Sequence, residues 1–212
     1  MFSNLTLGKT KWDVILATIF VLSLFALLGV ALASFATTSN SASTAVKSSI
    51  KISPVRSLVY NFVTVTGVGF LPDKSVSISL AGQSDSTLTN SSGDFTFKFQ
   101  VLPTPAGLYT VTAADGTHSA STRLRVIPHL TFGAHHYLPP GGSSTATGSG
   151  FAGNSLVKFT LSNGVTVGSV TSTSVGGFST QVTVPANTAA GIYKLIATDA
   201  SGNSASTTFH VT

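Results

Sequence analysis

The chain has no cysteine and no glutamate. Without cysteine it can hold neither a disulfide nor a thiolate-bound metal. Small secreted eukaryotic domains usually depend on disulfides, so the absence argues mildly against that class. Carboxylates are scarce, with six aspartates in all. Asp73, Asp85, Asp94, Asp115 and Asp199 mostly adjoin Gly, Pro or Ala, where aspartate serves a turn. No pair stands at a spacing that suggests glycosidase chemistry. A G-x-S-x-G elbow, an H-E-x-x-H helix and a D-x-D-x-D-G calcium loop are all missing. The sequence therefore reads as a protein that is not an enzyme and that uses no cofactor and no metal.

Charged residues make up only 8% of the chain, and Ser, Thr, Gly, Ala and Val dominate. Disordered chains share that polarity but lack aromatic and β-branched residues. Fourteen Phe and many regularly spaced Val point instead to strands with polar outer faces. The formal net charge is +5, but the basic residues are scattered, and only Arg123 and Arg125 share a strand face. Nucleic-acid binding needs a basic stripe with stacking aromatics, so no nucleic-acid partner is expected.

One long apolar run breaks the polar composition. It opens at Val14, closes at Ala36 and contains no charge. As a helix it would measure roughly 34 Å, enough to cross a hydrocarbon core of about 30 Å. Lys9 and Lys11 precede it and Trp12 would sit at the interface. The positive-inside rule then places residues 1–13 in the cytoplasm and the remainder outside. The competing reading is a signal peptide cleaved near Ser34, after the A-x-A pattern Ala31-Leu32-Ala33, which would make the protein secreted. The length of the run exceeds the usual signal core and favours a retained, single-pass membrane anchor over residues 14–36. Residues 37–49 follow as a flexible Ser/Thr-rich linker, spanning on the order of 20 Å.

The rest of the chain repeats itself. Thr66-Gly67-Val68-Gly69-Phe70 returns as Thr147-Gly148-Ser149-Gly150-Phe151. Gly93-Asp94-Phe95 returns as Gly176-Gly177-Phe178, and Ala106-Gly107-Leu108-Tyr109 as Ala190-Gly191-Ile192-Tyr193. A fixed internal period means tandem copies of one unit. Two domains are expected, over residues 50–127 and 128–212. In the first, apolar residues alternate with polar ones over residues 60–66, 75–80, 94–101, 108–113 and 119–126. Period two over such lengths marks half-buried strands. With shorter strands at residues 50–53 and near Thr87, about seven result, separated by turn residues. That pattern predicts an all-β chain of two tandem immunoglobulin-like β-sandwiches preceded by one N-terminal transmembrane or signal helix. In the second repeat, residues 143–148 are poor in apolar side chains, which predicts an edge strand or a loosely packed one.

Few residues stand out as sites. Tyr109 and Tyr193 occupy Gly-x-Tyr at the start of a late strand, the position of a structural tyrosine corner. The Gly residues of T-G-x-G-F suit positive φ or bulge positions, and the motif lacks the third Gly and the helix of a dinucleotide loop. His135, His136 and Tyr137 lie in a Gly- and Pro-flanked stretch read as an exposed inter-domain loop and a partner-contact surface. Adjacent strand residues face opposite ways, so the two imidazoles do not form a chelate there. Asn90-Ser91-Ser92 is an N-glycosylation sequon in an expected loop.

Together, T-G-x-G-F, the repeated Gly-x-Phe, A-G-x-Y-x-[VL]-x-A and the closing D-A-S-G-N-S-A-S-T resemble tandem IPT/TIG-like and related immunoglobulin-like repeats of archaeal and bacterial surface proteins. The resemblance covers residues 50–212 and implies a fold, with no shared catalytic residues. It is unspecific for function, since such repeats serve as spacers, adhesion modules and structural subunits. The apolar anchor, the linker and the tandem repeat together lead to the expectation of a membrane-anchored cell-surface structural or adhesion protein, with protein partners or self-assembly. One alternative is a subunit of an extracellular filament or virion surface assembled by strand donation, with residues 35–53 as the donor. Another is an accessory subunit of a membrane enzyme complex, its helix packed through Ala26, Gly29, Ala31 and Ala33.

Overall fold

The computed structural model describes residues 47–133 and 137–212. The expected cytoplasmic segment, the apolar helix and most of the linker lie outside the described residues. The first repeat gives β1 (Ser49–Ser53), β2 (Arg56–Ser57), β3 (Phe62–Val68), β4 (Ser75–Leu80), β5 (Gln83–Leu88), β6 (Phe95–Gln100), β7 (Gly107–Ala114) and β8 (Ser119–Val126), with buried and exposed residues alternating along β1, β3 and β4. The second repeat gives β9 (His129–Phe132), β10 (Tyr137–Leu138), β11 (Ser143–Ser149), β12 (Leu156–Leu161), β13 (Thr166–Thr171), β14 (Phe178–Thr183), β15 (Gly191–Asp199) and β16 (Ser204–Val211).

Each repeat folds as a three-stranded sheet facing a five-stranded one. The orders are β1-β3-β6 and β2-β8-β7-β4-β5 in the first, β14-β11-β9 and β10-β16-β15-β12-β13 in the second. The first strand starts on the small sheet and its continuation joins the large one, where β2 runs parallel to β8 and β10 parallel to β16. These two-residue strands are the eighth member of each repeat. This strand order is that of an immunoglobulin-like sandwich.

Alternation places one side chain in two between the sheets. Val63 and Val65 of β3 face Val76, Ile78 and Leu80 of β4 in one buried cluster. Phe151, Phe159 and Phe209 anchor the other, each at most 1% exposed. Burying one such side chain contributes about 1.5–3 kcal/mol. In the second cluster Phe178 packs tilted against Phe151 and edge-on against Phe159, at centroid distances of 5.2 and 5.4 Å.

Two expectations need correction, and a third falls on residues that are not described. Residues 143–148 belong to β11, which is a central strand between β14 and β9 rather than an edge. Its inward positions are small because rings fill the space: a Cβ on Gly148 would stand 2.2 Å from the Phe178 ring. Ala146 beside it is fully buried, so the strand is tightly packed. His135 and His136 lie outside the described residues; β9 before them and β10 after them both belong to the second sandwich. Of the supposed donor segment, Ser49–Ser53 is already engaged as β1, antiparallel to β3 of its own sandwich. Residues 35–46 of that segment lie outside the described residues.

The two sandwiches belong to one compact unit. The Ala106 N–H donates to the Phe151 carbonyl at 3.1 Å, carrying a backbone bond from one sandwich to the other.

Candidate functional site

The repeated T-G-x-G-F motif is the best-determined constellation in each sandwich. Gly67 and Gly148 leave room for the Phe95 and Phe178 rings, which a Cβ would meet at 2.1 and 2.2 Å. One step on, the Phe70 N–H donates to the Gly93 carbonyl and the Phe151 N–H to the Gly176 carbonyl. The next amide is held by a carboxylate from the far hairpin. Leu71 N–H donates to Asp115 Oδ2 at 2.7 Å, and Ala152 N–H to Asp199 Oδ2, also at 2.7 Å.

Both carboxylates are saturated. Asp115 Oδ1 accepts from the Thr117 and His118 N–H groups at 2.8 and 2.6 Å, and its Oδ2 lies 3.1 Å from His118 Nδ1. Asp199 Oδ1 accepts from the Ser201 and Asn203 N–H groups, and the Asn203 side-chain amide contacts both oxygens. Burial alone would push each carboxyl up, but the converging donors outweigh it and hold both below the usual carboxylate range. A buried hydroxyl closes each node: Thr89 Oγ1 donates to the Leu71 carbonyl at 2.6 Å and Ser172 Oγ to the Ala152 carbonyl at 2.5 Å. A carboxylate so occupied fixes a hairpin against the bend that follows β3 or β11 and has no lone pair left for acid–base work. The sequence reading missed this pairing, treating both aspartates as local turn residues. Their equal spacing from Tyr109 and Tyr193 was the available signal.

The tyrosine hydroxyls bond back along the chain, Tyr109 to the Pro105 carbonyl at 2.9 Å and Tyr193 to the Ala189 carbonyl at 3.1 Å. Burial raises the Tyr109 phenol above its ordinary value. Asn90 stands on the exposed turn between β5 and β6, where its Oδ1 accepts from the Ser92 and Asp94 N–H groups at 2.9 Å each. Among the described residues no group of three His, Cys, Asp or Glu side chains could hold a metal.

His135 and His136 lie outside the described residues. Tyr137 is 63% exposed on β10 and stacks on His210 of β16 at 5.0 Å. Register sets Ile192 of β15, 67% exposed, on the other side of His210. Three strands thus present an outward row, Tyr137–His210–Ile192. The equivalent row of the first sandwich is Arg56–Arg125–Leu108. There the two guanidinium-bearing residues line a groove with Ile127 and Pro128, facing Asn203 and Ser204 of the second sandwich. Sequence pairs Arg125 with Arg123 and misses Arg56, because a two-residue parallel strand has no period to detect.

No protein-family profile matches the chain, and no curated protein matches it. Among solved structures it is similar to the adhesin InvE of Yersinia pseudotuberculosis, at 15% identity and a TM-score of 0.37, over 77% of this chain and 58% of that one. It is also similar to a tetra-tandem repeat in the extending region of a large adhesion protein, at 17% identity and a TM-score of 0.37, over 78% and 49%. Invasin, a bacterial integrin-binding protein, is similar at 15% identity and a TM-score of 0.36, over 78% and 39%. The chain therefore spans less than two thirds of each of these structures. The immunoglobulin-like assignment here rests on the sheet order of the chain itself.

Proposed function

We propose that this chain is a membrane-anchored cell-surface module. Residues 14–36 are its anchor, and two non-catalytic domains, residues 50–127 and 128–212, project outward for structural or adhesive contact. The observation that carries this reading is the division of labour inside each repeat. The buried polar chemistry of Asp115 and Asp199 is spent on the frame, while the variable chemistry lies on outward rows. The Tyr137–His210–Ile192 row has the aromatic and apolar character of a contact surface. Protease added to intact cells tests the placement. It should degrade residues 50–212 and leave a membrane-embedded N-terminal fragment. Full protection of those residues until the cells are lysed would refute the reading.

A second reading, an end-to-end assembly, is favoured by one observation. The position equivalent to Ala106 in the second sandwich is Ala190, and the position equivalent to Phe151 in the first is Phe70. Among the described residues neither the Ala190 N–H nor the Phe70 carbonyl has a backbone partner. The bond that links the two sandwiches could therefore be repeated between copies, and a head-to-tail contact of that kind builds a filament unless its rotation closes a ring. Fibres in negative-stain images of the native fraction would support it. A concentration-independent monomer by light scattering would exclude it.

A further inference from the structure

Among the described residues Asn90-Ser91-Ser92 is the single N-x-S/T sequence. Its three residues are exposed at the tip of the turn joining β5 to β6. The Asn90 Oδ1 is committed to two backbone N–H groups, and the Nδ2 has no hydrogen-bond partner among the described residues. Leu88, two residues earlier at the end of the edge strand β5, is 70% exposed, the most exposed large apolar side chain described. Leu88, Thr89, Asn90, Asp94, Phe95 and Thr96 line one shallow groove of about 420 Å³.

The second repeat supplies an internal comparison. Ser172 takes the place of Thr89 in the buried node, so Thr173 corresponds to Asn90 and Thr171 to Leu88. Thr173 caps the equivalent turn through its hydroxyl, accepting from the Gly177 N–H. The frame therefore needs neither the amide nor the leucine. Where the sequon is lost, the exposed leucine is lost with it.

We propose that Asn90 carries an N-linked glycan whose first sugar lies in this groove with its apolar C–H face over Leu88. The inference rests on the export of residues 50–212. The donor would be a sugar activated as a phosphate or diphosphate ester. The Asn90 Nδ2 bonds to the anomeric carbon, the carbon–oxygen bond to the phosphate breaks, the phosphate leaves with the electron pair, and the amide gives up one proton. The Asn90 Oδ1 remains free to keep its two turn hydrogen bonds. Thr96 and Asp94 flank the groove with groups suited to sugar hydroxyls, and a hexose-sized ring fits the available space.

The test uses the full chain from its native source. Tryptic cleavage after Lys74 and Lys98 isolates residues 75–98, and tandem mass spectrometry reads the mass on Asn90. The expected result is a glycan on most molecules, removed by Asn90→Asp and by Ser92→Ala and retained in Ser92→Thr. Asn90→Asp keeps an acceptor oxygen for the turn, so loss of the glycan there is not a folding defect. In the glycosylated protein, nuclear Overhauser effects should connect sugar ring protons to the Leu88 methyls. Their absence would overturn the groove contact. Protease accessibility on the same cells separates the two claims. Exported protein with an unmodified 75–98 peptide overturns the glycan and leaves the surface reading standing, whereas protein protected inside the cell overturns both.

Discussion

Replacing Asp199 by Asn changes one atom and reverses one polarity. In the native node Asp199 accepts five hydrogen bonds, from Ala152, Ser201 and the backbone and side chain of Asn203. An asparagine can keep its carbonyl toward the Ser201 and Asn203 N–H groups. Its amide nitrogen then meets the Ala152 N–H, donor against donor. One orphaned amide in a half-buried site, together with the lost charge on the remaining bonds, should cost about 2–4 kcal/mol. Asp115→Asn creates the same conflict at Leu71, but its new N–H can donate to His118 Nδ1, which sits 3.1 Å from the original Oδ2. Its cost should be smaller by about 1 kcal/mol. Urea unfolding of the full chain in detergent, followed by circular dichroism, measures both. The two sandwiches have separate cores, so each variant should shift the transition of its own repeat. An Asp199→Asn variant within about 0.5 kcal/mol of the native protein, where surface changes fall, would refute the argument, as would a larger loss for Asp115→Asn. The pH dependence follows with a definite sign. Both carboxyls are lowered on folding, so their contribution is complete above the unfolded aspartate value of about 3.9 and is lost as pH falls below it. Each Asn variant should flatten that acid limb.

Gly148→Ala drives a methyl into the Phe178 ring at 2.2 Å and should destabilise the second sandwich by about 1–3 kcal/mol or more. Gly164→Ala meets open space, so its loss should be confined to the strain of its positive φ of 88°, about 1–2 kcal/mol; thermal unfolding should rank the pair in that order. Phe151→Ala empties a fully buried position and should cost about 3–5 kcal/mol in the same assay. Tyr109→Phe and Tyr193→Phe each delete one hydroxyl bond and should cost about 0.5–1.5 kcal/mol. In an alkaline absorbance titration the phenol missing from the upper end of the curve in Tyr109→Phe should be the one that burial raises.

Strands were legible wherever alternation ran for five residues or more. Phe95 and Phe99 on β6, and Val76, Ile78 and Leu80 on β4, announce their buried face directly. β11 was misread because apolar count is a poor guide where the core is supplied from elsewhere. Gly148 and Ala146 are small so that Phe178 and Phe151 can be large, and that complementarity lives between strands. β2 and β10 escaped notice because two residues carry no period, and with them went the placement of Arg56 beside Arg125 and of Tyr137 beside His210. The aspartates show the same limit. Turn chemistry explains an Asp beside Gly or Ala well enough to end the enquiry, yet the decisive bond of Asp115 reaches Leu71, 44 positions away.

The two repeats separate frame from surface without any outside comparison. Asp115 and Asp199, Gly93 and Gly176, and Thr89 and Ser172 hold equivalent bonds in both sandwiches. Arg56 and Tyr137, Arg125 and His210 occupy equivalent registers with unrelated chemistry. Equal bonds in unequal sequence mean that folding constrains the first set and leaves the second free for contact. Replacing Tyr137 and His210 by Arg transplants the first repeat's row onto the second. Both side chains point outward, so stability should change by no more than about 0.5 kcal/mol apart from the lost ring stacking, itself about 0.5–1.5 kcal/mol. Attachment of cells bearing the double variant to their natural surface, compared with cells bearing the native chain, then reads the row alone. Attachment should fall although the protein remains folded and exposed. Unchanged attachment with unchanged stability would remove the Tyr137–His210–Ile192 row from the contact surface and leave the Arg56–Arg125–Leu108 row as the next to test.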